Sequence, residues 1–190
     1  MLEVIVPYIN SKIEALNMFQ KLHGLCETLT ADGKSYPAEY CKNEYKQIEI
    51  DKFKGIVYHR LTGEISTEEL PEDETVSCDP FYSRTFPFRS VFIIDKKHLK
   101  SIGNDAYLES KIGNTIASNL ATSNNKQLRI DLGADSVSIE LNNIILNRNE
   151  IFESEYSGID NFFRYEFLYV AIDYSIIVTG SVSCINEYNC

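Results

Sequence analysis

The chain has no tryptophan, two methionines and five prolines in 190 residues. It has no apolar run approaching about 18 residues, the length that a membrane-spanning helix requires. Its N-terminus, MLEVIVPYINSK, has no basic region ahead of an apolar stretch, so no secretory leader is expected. Five cysteines stand apart at 26, 41, 78, 184 and 190. None forms a CxxC pair, which removes the zinc-ribbon signature. Their odd number leaves one thiol unpaired in any monomer. The expectation is a protein made in a reducing cytoplasm, with free thiols, no structural disulfide and no bound metal. Phosphate loops, GxGxxG, GxSxG and HExxH are all missing, so no familiar nucleotide, hydrolase or metalloprotease motif is present.

Basic charge is also scarce. Eighteen Lys and Arg face twenty-eight Asp and Glu, for a net charge of −10. A nucleic-acid binder gains affinity by neutralising phosphates with a basic stripe. The densest basic cluster here is Lys96, Lys97, His98 and Lys100, which reads as a solvated turn. The acidic balance favours solubility and repels DNA. It still permits a channel through which DNA slides without sticking.

What is abundant is aromatic and β-branched. Twelve Tyr and ten Phe suit sheet faces. The run Phe163–Val178 alternates with period two. Leu168, Val170, Ile172, Tyr174, Ile176 and Val178 fall on one side of a strand. Tyr169, Ala171, Asp173 and Ser175 fall on the other. At about 3.3 Å per residue such a strand reaches roughly 50 Å, beyond the roughly 30 Å span of a small domain. One end is therefore expected to project and to pair with a neighbour. Tyr169 and Ile177, on the face opposite the Leu168–Val178 row, are the expected subunit-interface residues.

Elsewhere the spacing predicts helices near 7–23 and 104–122. The first opens on Pro7, with Ile9, Ile13, Leu16 and Leu22 at helical intervals and Gly24 as its stop. The second carries Leu108, Ile112, Ile116 and Leu120 every four residues. LCETLT (25–30) and SYPAEYC (35–41) flank Asp32-Gly33, a hairpin signal, and Pro37 marks the second arm as an edge. KQIEID (46–51), GIVYHRL (55–61) and RSVFIID (89–95) read as strands. Residues 78–88, with two prolines, read as loop or edge. Gln127–Leu132, Ser136–Leu141 and Ile144–Leu146 read as three short strands with turns at 133–135 and 142–143. Glu150–Asn161 reads as a polar connection. Gly63–Thr75 holds six acids without the order of a calcium loop, and is expected to be a surface excursion. The sum is a single α+β domain over 1–190, a mostly antiparallel sheet with two helices packed on one face.

Candidate chemistry is thin. His23, His59 and His98 are the only histidines. A catalytic role for any of them needs a nucleophile, a base and an orienting group brought together from a distance. Gly103-Asn104-Asp105 before a helix could hold an anion at the helix N-terminus, though Asn or Asp used simply as a cap is commoner. Asp173, the one acid in the long apolar strand, is either a functional carboxylate or a residue that faces water or an Arg on a neighbouring strand or subunit. No catalytic residue and no cofactor is expected.

The first amphipathic helix, the strand block, a second helix containing IGNTIASNL (112–120) and a closing strand pair with RYEFLYVAIDY (164–174) together resemble the tail terminator and tail-completion proteins of tailed bacteriophages. The resemblance implies a non-enzymatic α+β subunit of the virion. It implies a homo-oligomeric ring, a hexamer in many members, at the neck end of the tail tube. The implied partners are other tail and neck proteins, with DNA passing through the ring, no membrane and no sequence-specific nucleic-acid binding. Two other classes fit the residues. One is a small-ligand or enzymatic domain with a pocket lined by Tyr58, Tyr165, Tyr169 and Tyr174. The other is an acidic, immunity-type monomer that masks a basic partner.

Overall fold

The computed structural model of the chain describes residues 1–41, 43–49, 52–70, 81–99, 107–122, 125–152 and 166–181. Helix α1 spans Leu2–Glu14. Strands β1 (Lys21–Ala31), β2 (Lys34–Cys41), β3 (Glu44–Gln47), β4 (Gly55–Leu61), β5 (Ser66–Glu69) and β6 (Phe81–Asp95) follow. Then come α2 (Leu108–Ala121), α3 (Lys126–Asp131), β7 (Ser136–Ile145), α4 (Arg148–Phe152) and β8 (Phe167–Ser181). The eight strands form one sheet in the order β3-β2-β1-β4-β6-β8-β7, with β5 paired to β6 beyond the end of β4. Every pairing is antiparallel except β1 with β4. The α+β class is therefore as the sequence implies, with a mixed, mostly antiparallel sheet.

The layers differ from two helices on one face. Ile5, Val6, Ile9 and Ile13 of α1 share one core with Ile112, Ile116 and Leu120 of α2, Leu128 of α3, and Val170, Ile172 and Tyr174 of β8. The opposite face carries a second core, in which Ile151 and Phe152 of α4 cover Tyr169, Ala171, Val91 and Ile56. Each fully buried Ile of this kind contributes about 1.5–3 kcal/mol, so α1 is held by its stripe and not by its propensity.

Helix α1 begins before Pro7 because Ile5 and Val6 extend the apolar stripe. Pro7 sits inside the helix on its exposed side, where the carbonyl it leaves unbonded faces water. The helix also ends early. Asn17 adopts a positive φ of 55°, a conformation asparagine tolerates at a helix stop. Lys21, Leu22 and His23, expected in the helix, belong to β1.

The β1–β2 turn is as expected. Asp32 and Gly33 have φ of 53° and 73°, the positive pair that a type I′ hairpin requires. Pro37 does not mark an edge, because β3 pairs outside β2. Nor is 78–88 a loop where it is described, since β6 starts at Phe81 and contains Pro87. Both prolines are tolerated for one reason. Ile48 N donates to Pro37 O at 3.1 Å and Thr62 N to Pro87 O at 3.0 Å. A strand residue's N and O point the same way, so each missing N–H faces the side where the neighbouring strand is leaving the sheet.

The expected strand Gln127–Leu132 is helix α3. Leu128 and Leu132 are buried one turn apart, and Ile130 between them is exposed. Gly133, at φ 61°, ends the helix as a Schellman stop: its N–H bonds Ile130 O, and Ala134 N–H bonds Arg129 O. Ser136–Leu141 and Ile144–Leu146 are not two strands about a turn. They form the single strand β7 through Ile145, with a bulge at Asn142 where the register to β8 shifts. Of the expected strand 46–51 only Lys46 and Gln47 belong to β3, which starts at Glu44, and positions 50 and 51 lie outside the described residues.

Over its described residues the long strand does not project; 163–165 of the expected run lie outside the described residues. Every β8 residue from Phe167 to Ser181 pairs with β6, which is equally long, and β7 lies along its other side. The length is absorbed inside the domain by a second long strand. The acidic stretch is exposed where described, and Ser66–Glu69 of it forms β5 against β6. Its remainder, 71–75, lies outside the described residues.

Candidate functional site

Two of the three histidines come together where α1 crosses the sheet. His59 of β4 and Ser90 of β6 are register partners, and both face the helix layer. His59 Nδ1 lies 2.6 Å from Ser90 Oγ, and Ser90 Oγ lies 2.9 Å from the Tyr174 hydroxyl. On the other side of the ring, His59 Nε2 lies 2.9 Å from Asn10 Oδ1. Asn10 Nδ2 donates to the His23 carbonyl at 3.0 Å, which fixes the amide's orientation. Its oxygen therefore accepts from His59 Nε2–H. Nδ1 is left as the acceptor of the Ser90 hydroxyl, and Tyr174 donates to Ser90.

Hydroxyl, imidazole and amide thus stand in the relation of nucleophile, base and orienting group. The chemistry does not follow from the relation. His59, Ser90 and Tyr174 are all 0% exposed, and a reacting atom needs a place about 3 Å from the nucleophile. Burial, with the nearby His23, holds His59 down to about 3, so the ring is neutral. Burial pushes the Tyr174 phenol up, against a smaller opposing effect of the Ser90 hydrogen bond. The constellation ties α1 to β4, β6 and β8 through satisfied polar groups.

His23 belongs to the adjoining feature, the bulge where β1 slips against β4 between Leu22 and Leu25. Glu39 of β2 clasps this bulge. Its carboxylate accepts from His23 Nδ1–H at 2.8 Å and from the Gly24 amide. Hydrogen bonding to His23 holds the Glu39 carboxyl below its usual range, against desolvation. A Cβ at position 24 would lie 3.0 Å from Glu39 Oε1, so a side chain there would push the carboxylate of the clasp aside by a few tenths of an ångström. Cys26 lies beside it. Burial, and then the Glu39 charge, push its thiol up, which makes it a poor nucleophile.

On the opposite face Asp173 finds its arginine on the adjacent strand. Arg89 Nε and Nη2 grip its two oxygens at 2.6 and 2.7 Å, a bidentate fork. Of the tyrosines expected to line a pocket, Tyr58 and Tyr169 lie in the core under α4, and Tyr174 lies in the core under α1–α3. These three therefore share no pocket. Tyr165 lies outside the described residues, as do Cys78, Cys184, Cys190, Lys100 and the 103–105 cap. Lys96, Lys97 and His98 form an exposed turn after β6.

Tyr169 is not available to a neighbouring subunit. It is buried at 4% exposure, with the Phe152 ring edge-on at 5.4 Å and Arg148 over its face at 5.9 Å. Ile177 is half-buried, flanked by Thr85 and Ser138. Each terminal strand of the sheet bears an exposed apolar side chain, besides those of Tyr40, Ile65, Tyr107 and Ile130 elsewhere on the described surface. Tyr45 on β3 is 41% exposed and its ring lies tilted against that of Tyr40 of β2, centroids 5.0 Å apart, its hydroxyl donating to Glu27. Leu141 on β7 is 37% exposed. Composition made none of these edge residues stand out, because the sequence does not tell which strands end a sheet.

Among the described residues no helix is long and apolar enough to cross a membrane. No protein-family model matches the chain, and no curated protein matches it at a significant level.

Proposed function

We propose that the chain is a non-catalytic structural subunit of a tailed-bacteriophage virion, assembling as a homo-oligomeric ring of the tail terminator or tail-completion kind. The observation that carries this reading is the placement of exposed apolar side chains at the terminal strands β3 and β7, one on each end of the sheet. A ring subunit has to present two different edges, one to each neighbour. The sealed state of the hydroxyl–imidazole–amide set supports a structural role for those groups. The net charge of −10 supports a lumen that DNA crosses without binding.

The test is immunogold electron microscopy on the particle whose genome encodes the chain. The reading expects label at the neck or tail end. Label on no virion, with the protein found free in lysate as a monomer, would replace it with the acidic interaction protein.

A further inference from the structure

We infer that neighbouring copies join head to tail by pairing β3 of one with β7 of the next, antiparallel, in the register Tyr45 opposite Leu141 and Lys46 opposite Glu140. This interface rests on the ring reading and names the surfaces that would build it.

Strand direction comes first. Strand β3 runs antiparallel to β2, β2 to β1, and β1 is parallel to β4. From β4 the direction reverses at β6, again at β8 and again at β7. So β3 and β7 run oppositely within one sheet. When a second copy docks edge to edge with its helix layer on the same side, its β3 meets β7 antiparallel. No inversion of the sheet is needed, and the backbone groups along the β7 edge gain partners.

Side-chain faces come next. Lys46 is opposite Glu39, and Glu39 opposite Cys26, which belongs to the core under α4. Glu140 is opposite Ser175, two positions along the strand from Asp173 and four from Ala171 in that same core. Lys46 and Glu140 therefore project on one face. Tyr45 alternates with Lys46, and Leu141 is opposite Tyr174 in the helix-side core, so these two project on the other. The register that faces Lys46 with Glu140 also faces Tyr45 with Leu141.

Chemistry selects this partner. The register joins opposite charges, and among the described residues neither Lys46 nor Glu140 makes an ion pair within its own chain. It also covers Tyr45 and Leu141, both solvent-exposed in the single chain. Pairing β7 with β7 of another copy would join no opposite charges, because Glu140 is its one charged residue; pairing β3 with β3 would set Glu44 against Lys46 but would leave Leu141 uncovered and close a dimer instead of a ring. Cross-strand pairs of these two kinds are the units that stabilise sheets.

The experiment uses Tyr45→Cys and Leu141→Cys, each made in a background with Cys41, Cys78, Cys184 and Cys190 replaced by Ser, purified separately, checked by far-UV circular dichroism, then mixed and mildly oxidised. The expected result is a disulfide-linked dimer in the mixture that neither variant gives alone, and a ladder of multimers from the chain carrying both substitutions. Lys46→Glu and Glu140→Lys should each weaken association by roughly 10-fold or more, and the charge-swapped double variant should restore it. No mixed dimer from protein whose native mass is oligomeric would overturn this interface and leave the ring intact. A dimer from Leu141→Cys alone would overturn it in favour of β7–β7 pairing, and one from Tyr45→Cys alone in favour of β3–β3 pairing. A strict monomer with no cross-link would overturn both the interface and the ring.

Discussion

Replacing Asn10 with Leu removes one side chain and breaks two buried hydrogen bonds. Asn10 sits on α1, yet its amide serves two strands: it donates to His23 O at 3.0 Å and accepts from His59 Nε2–H at 2.9 Å. Leu has the same number and branching of side-chain heavy atoms, so no space opens for water as it would after truncation to Ala. The His59 ring, 0% exposed, then holds an N–H with no acceptor, and the β1 bulge holds a carbonyl that has lost its side-chain donor. Each orphaned buried group costs about 1–3 kcal/mol, so the substitution should destabilise the fold by roughly 2–5 kcal/mol. In a chain of this size that lowers Tm by roughly 5–15 °C. Urea titration should show a lower midpoint with unchanged slope. Ser90→Ala, which removes the donor to the other ring nitrogen, should couple to Asn10→Leu in a double-mutant cycle, since both act through one imidazole. A loss below about 0.5 kcal/mol for Asn10→Leu would refute the claim that this network pins α1 to the sheet.

Further outcomes follow from the same geometry. His59 titrates at about 3 when folded against an ordinary 6.5, so the unfolded chain takes up the proton first. Stability should be full above about pH 6.5 and fall by about 1.4 kcal/mol per pH unit as the pH drops toward 4.5. His59→Gln, which offers one donor and one acceptor to the same neighbours, should flatten that slope in urea titrations run across the window. Gly113→Ala should destabilise despite alanine's better helix propensity, because a Cβ there would lie 2.9 Å from Ile144 Cγ2. The expected cost, read by thermal melting, is about 1–3 kcal/mol. Arg89→Met strands the Asp173 carboxylate, only 20% exposed, and should cost about 2 kcal/mol by chemical denaturation. Tyr169→Asp should unfold the isolated chain, a loss visible by circular dichroism, because the ring is packed under Phe152.

Period-two alternation in the last long strand was legible in the sequence, as were the Asp-Gly hairpin and the four-residue spacing of α2. In each the local chemistry and the tertiary environment point the same way. The failures share a different cause. Leu128, Ile130 and Leu132 alternate like a strand, and only the Gly133 stop and the exposure of Ile130 show them to be helical. Pro37 and Pro87 read as breaks, because a sequence does not show which side of a strand its N–H will face. The length of β8 reads as a projection until β6 is known to match it. The Asn10–His59–Ser90–Tyr174 set joins residues from four elements with no spacing in common. No motif could have announced it. The edges at Tyr45 and Leu141 depended on strand order, which is a property of the whole sheet.

The central claim is that this chain is an assembling subunit whose buried polar groups serve the fold. Native mass spectrometry of the purified protein over a range of concentrations tests it most directly. The expected result is a closed oligomer of defined mass, lost on Glu140→Lys with the subunit's circular dichroism unchanged. A mass of one subunit at every concentration, with the same spectrum, would contradict it.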